Sequence, residues 1–217
     1  MVDVSELVKA SMESLKSPGK GNPLPKAGGN GPFIYVFRHG ETEDNLNRVF
    51  SGWRQSPLTE RGIAQAEELA EKMKDLRIDV AMHSPLIRSR DTLMVVLKHH
   101  PNAKVEEDWR IIERNYGKLM GMSKSLMMER DPERTALYRR GYDYPPPGGE
   151  SLKMVEDRVF PFCREIEERA REYGISIAVS AHGNSMRAIR RYFEGLSLEE
   201  MLTLENPLAS DYAAYKV

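Results

Sequence analysis

Phe33-Ile34-Tyr35-Val36-Phe37 is a short apolar run, and Arg38-His39-Gly40-Glu41-Thr42 follows it directly. Far downstream, Ile175 to Ser180 forms a second apolar run, followed closely by His182-Gly183-Asn184. Short apolar runs bounded in this way read as buried strands. Each delivers a His-Gly pair at its exit. Two imidazoles are therefore expected at one edge of a parallel sheet, because ligands of such sheets bind beyond the carboxyl ends of the strands. Arg38 makes that edge cationic. The combination points to a nucleophilic histidine acting on phosphate.

Between and around these runs, strand-like and helix-like patterns alternate. Thr59 is an expected N-cap for a helix over about Glu60 to Asp75, with Ile63, Ala66, Leu69, Ala70 and Met73 as its apolar face. Asp79 to His83 reads as a strand, and Pro85 is expected to open the next helix, which ends near His99-His100. Lys104 to Glu107 is a weak strand, Met122 to Arg140 a helical, Met-rich middle, and Tyr142 to Gly149 a Pro-Gly loop. Ser151 and Leu152 begin a long helix to Tyr173 that stops at Gly174, and Pro161 is expected to kink or divide it. Asn184 to Phe193 reads as a helix and Tyr212 to Val217 as the last strand. Alternating elements imply a three-layer α/β/α domain with a mostly parallel central sheet, spanning residues 33–217. Residues 1–32 form a separate extension. Val4, Leu7, Val8, Met12 and Leu15 recur at helical spacing, and Ser17 to Pro32 is rich in Pro and Gly, as in a linker. Two readings stand: one amphipathic helix that docks on the body or on a partner, and, preferred, a loosely tethered extension without a part in the chemistry.

Composition excludes several classes. The 217 residues carry a net charge of −1, with 40% hydrophobic and 30% charged residues. That balance gives no global attraction to nucleic acid or to an anionic membrane. No run of eighteen apolar residues indicates a membrane span. The single cysteine, Cys163, allows no internal disulfide and reads as a small core residue. With no secretory or transit signal in the pattern, a cytoplasmic location is expected.

Phosphoryl transfer needs an unprotonated nitrogen aimed at phosphorus and positive groups on the equatorial oxygens. His39 supplies the nitrogen if a backbone carbonyl holds its other ring nitrogen. Arg38 and Arg88 reach the same edge, His182 adds a second imidazole, and Gly183 and Asn184 open a helix whose N–H groups seat anions. A metal site built from His39, His182, Glu41 and Glu113 is the rival reading; Arg38 and Arg88 oppose it by repelling a cation, so no metal is expected. Arg187, Arg190 and Arg191 read as a solvated or substrate-proximal face. His83 reads equally as a residue lining the site or as a structural group at the strand end, and His99 and His100 are assigned no chemistry.

The chain resembles the histidine phosphatase superfamily, and within it the cofactor-dependent phosphoglycerate mutases, from about Phe33 to Val217. The superfamily likeness lies in Arg38-His39-Gly40-Glu41-Thr42 with Asn45, Ser51-Gly52-Trp53, Ser84-Pro85-Leu86-Ile87-Arg88, and Ala181-His182-Gly183-Asn184-Ser185. The mutase likeness lies in Glu113-Arg114-Asn115-Tyr116-Gly117 with Lys124, and in Arg139-Arg140 ahead of Pro145-Pro146-Pro147 and Glu150-Ser151-Leu152. The resemblance implies that His39 is phosphorylated, that Arg38, Arg88, His182 and the Gly183 amide clamp the phosphoryl group, and that Glu113 moves the proton. It implies that Asn45, Ser51, Gly52 and Asn184 line the pocket, and that Arg114, Tyr116, Lys124, Arg139 and Arg140 hold the far end of the substrate. It further implies interconversion of 3- and 2-phosphoglycerate primed by 2,3-bisphosphoglycerate, without a metal, in a homodimer. A histidine phosphatase for small phosphoesters is the second reading, and a non-catalytic anion-binding scaffold the third.

Overall fold

The computed structural model describes residues 3–16 and 21–217. After an N-terminal helix, α1 (Val4–Lys16), the chain forms β1 (Phe33–Arg38), a one-turn α2 (Glu43–Leu46) and α3 (Glu60–Met73). β2 (Val80–His83), α4 (Ile87–Val96) and β3 (Lys104–Glu107) follow. Then come α5 (Lys124–Arg130), α6 (Pro132–Arg140) and α7 (Leu152–Tyr173). β4 (Ile177–Ala181), α8 (Gly183–Glu194), α9 (Leu198–Thr203) and β5 (Ala213–Lys216) complete it. The strands lie in the order β3-β2-β4-β1-β5, all parallel except β5, which runs antiparallel to β1.

Period-two alternation along the strands divides the core between the two faces of the sheet. Ile34, Val36, Ile177 and Val179 pack with Val155, Val159, Phe162, Cys163 and Ile166 of α7 and with Met186 and Ile189 of α8. Phe33, Tyr35, Phe37 and Ala178 pack on the other face with Leu69 and Met73 of α3 and Leu93 and Val96 of α4. The result is the expected three-layer domain. Register places the site: Arg38 pairs with Ala181, and His83 with Ser180. The residues that follow β1, β2 and β4 thus emerge side by side.

Several local expectations are corrected. Ile63 is 43% exposed, and Gly62 is buried in its place. α3 turns that glycine toward the His39-Gly40-Glu41 loop, where a Cβ on Gly62 would overlap the Glu41 carbonyl and one on Gly40 would overlap Gly62. Pro85 does not open α4; Leu86 is the N-cap, and the first helical N–H, that of Ile87, goes to Gln55 Oε1 at 2.9 Å. The Met-rich middle is helical as expected, in two pieces: Asp131 leaves helical geometry and its side chain caps the second by accepting from the Arg134 N–H at 3.1 Å. Pro161 does not divide α7. It sits on the exposed side of the helix, so the carbonyl it leaves without a partner faces water while the buried side packs undisturbed.

The extension is not loose where it is described. α1 packs on α6 and α9, with Leu7 buried among Ala136, Leu152, Met201 and Leu202. Its buried stripe runs through Leu7 and Ser11, whereas Met12, expected inside, is 48% exposed. Of the linker stretch Ser17 to Pro32, residues 17–20 lie outside the described residues. Farther on, Ala27 N–H donates to Ala214 O at 2.9 Å and Ala214 N–H to Pro25 O at 2.8 Å, which tie this segment to β5. Among the described residues no helix is long and apolar enough to cross a membrane.

Candidate active site

His39 leaves β1 with its ring almost wholly buried, 2% exposed. Its Nδ1–H donates to the Gly40 carbonyl at 2.7 Å. That bond fixes the tautomer and leaves the lone pair on Nε2. Burial first, then the neighbouring charges of Arg88 and Arg38, hold the imidazole pKa well below 6.5, against a smaller opposing effect of the Gly40 bond. His39 is therefore neutral and nucleophilic at neutral pH.

His182 leaves β4, with its ring centroid 5.2 Å from that of His39. Ser84, at the exit of β2, lies 2.7 Å from His182 Nε2 through its Oγ. Burial, then Arg88, His39 and Arg38, keep His182 neutral as well. Ser84 Oγ already accepts from the Leu86 N–H at 3.2 Å, which leaves its hydroxyl proton for Nε2; in that arrangement the His182 ring proton sits on Nδ1. Arg88 is fully enclosed; its Nη atoms donate to Arg54 O at 2.9 Å and Gly52 O at 2.8 Å. Arg38 Nη1 donates to Asn206 O at 2.9 Å. Among the described residues, the buried side-chain nitrogens and oxygens without a partner are Arg38 Nε, Arg88 Nε and His182 Nδ1. Buried donors are nearly always satisfied. Here three unsatisfied ones belong to a single site, from three different strand exits, and an anion beside His39 would supply what they lack.

Glu113 brings the opposite charge. Its Oε1 accepts from Arg114 N–H at 2.8 Å, Asn184 N–H at 3.0 Å and Asn184 Nδ2 at 3.1 Å. Burial opposes its ionisation, yet the Arg114 N–H, Arg88, Arg38 and the Asn184 N–H together outweigh burial and hold the carboxyl below its ordinary value. With Oε1 saturated, Oε2 is the oxygen left to exchange a proton. A Cβ placed on Gly183 would lie 3.4 Å from Glu113 Oε2 and 3.6 Å from Arg38 Cζ. The first turn of α8, the carboxylate and the guanidinium thus converge within van der Waals contact of one another's space.

These groups line a cavity of about 120 Å³ together with Asn45, Ser51, Gly52, Tyr116, Lys124, Arg139, Arg140, Gly183 and Asn184. The structure brings together nearly all the residues singled out from sequence. His182 stands behind the lining, and Arg114 lies outside it: its Nε donates to Glu150 O at 2.6 Å, Nη1 to Arg139 O at 3.3 Å and Nη2 to Tyr144 O at 3.1 Å. It braces the Pro-rich loop. His83, likewise outside, bonds Ser84 O at 2.8 Å. Glu41, of the rival metal set, is engaged by Thr59 Oγ1 at 3.0 Å and Arg61 at 3.6 Å. No group of three or more His, Cys, Asp or Glu among the described residues is placed to hold a metal ion. Lys124 borders the cavity, and burial, then Arg139 and Arg38, pull its ammonium down to about 7.

Sequence reasoning missed Ser84 as the partner of His182, and it missed Glu205 and Asn206. These two lie between α9 and β5, far from any strand exit. Glu205 pairs with Arg140 and with Arg187, the latter at 3.2 Å. It missed Ser14 and Leu15 of α1, which also border the cavity.

The chain is similar to known proteins. A protein of Parvibaculum lavamentivorans named 2,3-bisphosphoglycerate-dependent phosphoglycerate mutase is 40% identical over 177 residues, 79% of this chain and 84% of its own. One of the same name from Methanococcus vannielii is 34% identical over 202 residues, covering 80% of this chain and 86% of its own. Among solved structures, a putative alpha-ribazole-5'-P phosphatase of Escherichia coli superposes with a TM-score of 0.74 at 24% identity, covering 85% of this chain and 90% of that one. A mycobacterial glucosyl-3-phosphoglycerate phosphatase superposes with 0.76 at 23% identity, covering 84% and 90%. Those structures share the fold. The family model for the histidine phosphatase superfamily, branch 1, matches residues 34–214, from the strand that presents His39 to the strand that closes the sheet, and the chain belongs to that superfamily.

Proposed function

We propose that the protein interconverts 3-phosphoglycerate and 2-phosphoglycerate through a phosphohistidine at His39, primed by 2,3-bisphosphoglycerate. One observation carries the phosphoryl half of this reading: the three buried donors left without partners at Arg38, Arg88 and His182 surround a neutral imidazole. A cationic wall at the far end, Lys124 with Arg139 and Arg187, suits a substrate with a second anionic group. The names of the relatives at 34–40% identity support the mutase over the phosphatase reading.

The residues divide the work as follows. His39 Nε2 takes the phosphoryl group from the primer, forming a P–N bond as the P–O bond breaks and the protonated Glu113 gives its proton to the departing phosphoglycerate oxygen. Arg38, Arg88 and His182 hold the equatorial oxygens, where charge spreads in the transition state. For return transfer, Glu113 Oε2 accepts the proton of the incoming substrate hydroxyl as its oxygen bonds phosphorus and the P–N bond breaks. In the reverse orientation Glu113 gives that proton back to the departing oxygen. Its depressed pKa suits the base step that starts the cycle. The test is an enolase-coupled assay from 3-phosphoglycerate with and without added 2,3-bisphosphoglycerate. Strong dependence on the primer is expected. Release of free phosphate with no 2-phosphoglycerate would replace the mutase with a phosphatase.

A further inference from the structure

α1 meets the cavity through its last turns, where Ser14 and Leu15 stand in the same wall as Arg139 and Arg140. It also takes up those arginines. Arg139 Nη1 donates to Ser11 O at 2.6 Å and its Nη2 to Ser14 Oγ at 3.1 Å. Arg140 Nε donates to Ser11 Oγ at 3.2 Å and its Nη2 to Ala10 O at 3.1 Å. The remaining Arg140 contacts are Leu202 O at 2.8 Å and the Glu205 carboxylate. The Ala10 and Ser11 carbonyls lie inside the helix, and each has a second lone pair that can accept from a guanidinium N–H. Arg140 is 1% exposed and Ser11 not at all, so lifting α1 away would strand a buried cation and uncover Leu7. The helix is therefore held in place during binding rather than displaced by it.

We infer that Ser14 and Leu15 are specificity-determining residues, and that α1 is a fixed wall restricting the site to small anionic phosphoesters and keeping water from His39. Two observations meet here. The cavity, at about 120 Å³, is well below the roughly 300–1,000 Å³ of pockets that take drug-sized ligands. Two of the side chains that bound it at this end, Ser14 and Leu15, come from outside the stretch that matches the family, residues 34–214. Size selection follows for any phosphoryl chemistry at His39. Water exclusion rests on the phosphohistidine reading above.

The experiment uses the full chain and two phosphoesters, glycerol 3-phosphate and the bulkier 1-naphthyl phosphate. Leu15→Ala is expected to raise the ratio of kcat/KM for 1-naphthyl phosphate over glycerol 3-phosphate roughly tenfold, and Ser14→Leu to lower it by a similar factor. A ratio that stays within about twofold of the unaltered protein in both variants overturns the inference. If neither ester turns over, their binding constants by calorimetry give the same ratio. Trypsin supplies an arm independent of activity. A docked α1 protects the Lys9 bond in the unaltered chain, and Leu7→Asp exposes it and increases phosphate release relative to transfer. Rapid cleavage at Lys9 in the unaltered chain would remove the wall altogether. Absence of mutase turnover alone sinks the proposed function and leaves the size selection standing.

Discussion

Two pairs of arginines, one at the phosphoryl end of the cavity and one built into the framework around it, differ in a single respect. Arg38 and Arg88, at the phosphoryl end, are positioned by one or two carbonyls each and keep a buried Nε without a partner. Arg114 and Arg140 are as deeply buried as Arg88, yet their guanidinium groups are committed to backbone carbonyls, a carboxylate or α1. A guanidinium whose donors are satisfied inside the protein is a brace. One with a donor left over is a receptor. Charge and burial do not separate the two cases; the hydrogen-bond inventory does.

The largest effect that would break this distinction lies at the phosphoryl end. His39→Ala should lower enolase-coupled turnover by roughly 10⁴-fold or more while the melting temperature stays within a few degrees. Residual turnover near the unaltered rate would move the nucleophile elsewhere. Glu113→Gln comes next. The isosteric amide keeps an Oε1-type acceptor but has no proton to shuttle, so kcat should fall about 10²- to 10⁴-fold. KM should change little, since the hydroxyl contact survives. A loss confined to KM would make Glu113 a binding group only.

The comparison of arginines itself is tested by a matched pair. Arg38→Met should cost roughly 10²–10³-fold in kcat, as loss of a donor to developing charge does, and only a few degrees of stability. Arg114→Met should do the reverse. It leaves three carbonyls without their donor, a loss of about 3 kcal/mol, or roughly 6–12 °C in melting temperature for a chain of this size. The folded fraction should keep its kcat. Equal kinetic losses in both variants would erase the difference between brace and receptor.

What the chain reveals before folding follows the same line. Strand exits are legible, because five consecutive apolar residues ending in Arg38-His39 have few other readings. The three-layer arrangement follows from alternation. Adjacency of β1 and β4 is not legible, since parallel partners 143 residues apart leave no local trace of their register. The roles of Arg114, Arg139 and Arg140 are hidden for a different reason. Their partners are mostly main-chain carbonyls, which every residue possesses, so no sequence pattern marks them. The helix α1 is legible in its apolar spacing, but its docked face is not, because Ser11, a small polar residue, lies at the centre of that face while Met12 is exposed. Glu205 and Asn206 lie in irregular chain and are brought to the cavity only by the return of the chain from α9 to β5.

The smallest effect concerns a cation that belongs to neither group. Lys124 borders the cavity, stands over the Phe50 ring at 5.7 Å, and forms no ion pair among the described residues. Burial, then Arg139 and Arg38, depress its ammonium to about 7, against the weaker pull of Glu113 and Glu205. Below that pH the free protein presents a charged ammonium; above it, an amine. An anionic far end of a substrate should therefore bind more weakly as pH rises through 7, and its arrival should draw a proton onto Lys124. KM for 3-phosphoglycerate is expected to climb from pH 6 to pH 8.5. Lys124→Met should raise KM about tenfold at pH 6, near 1.4 kcal/mol, and flatten its rise with pH. Phosphate ionises in the same range but does so equally for both proteins, so the difference between the two profiles isolates the lysine. Parallel profiles would return Lys124 to the braces, with its charge used in packing rather than in binding.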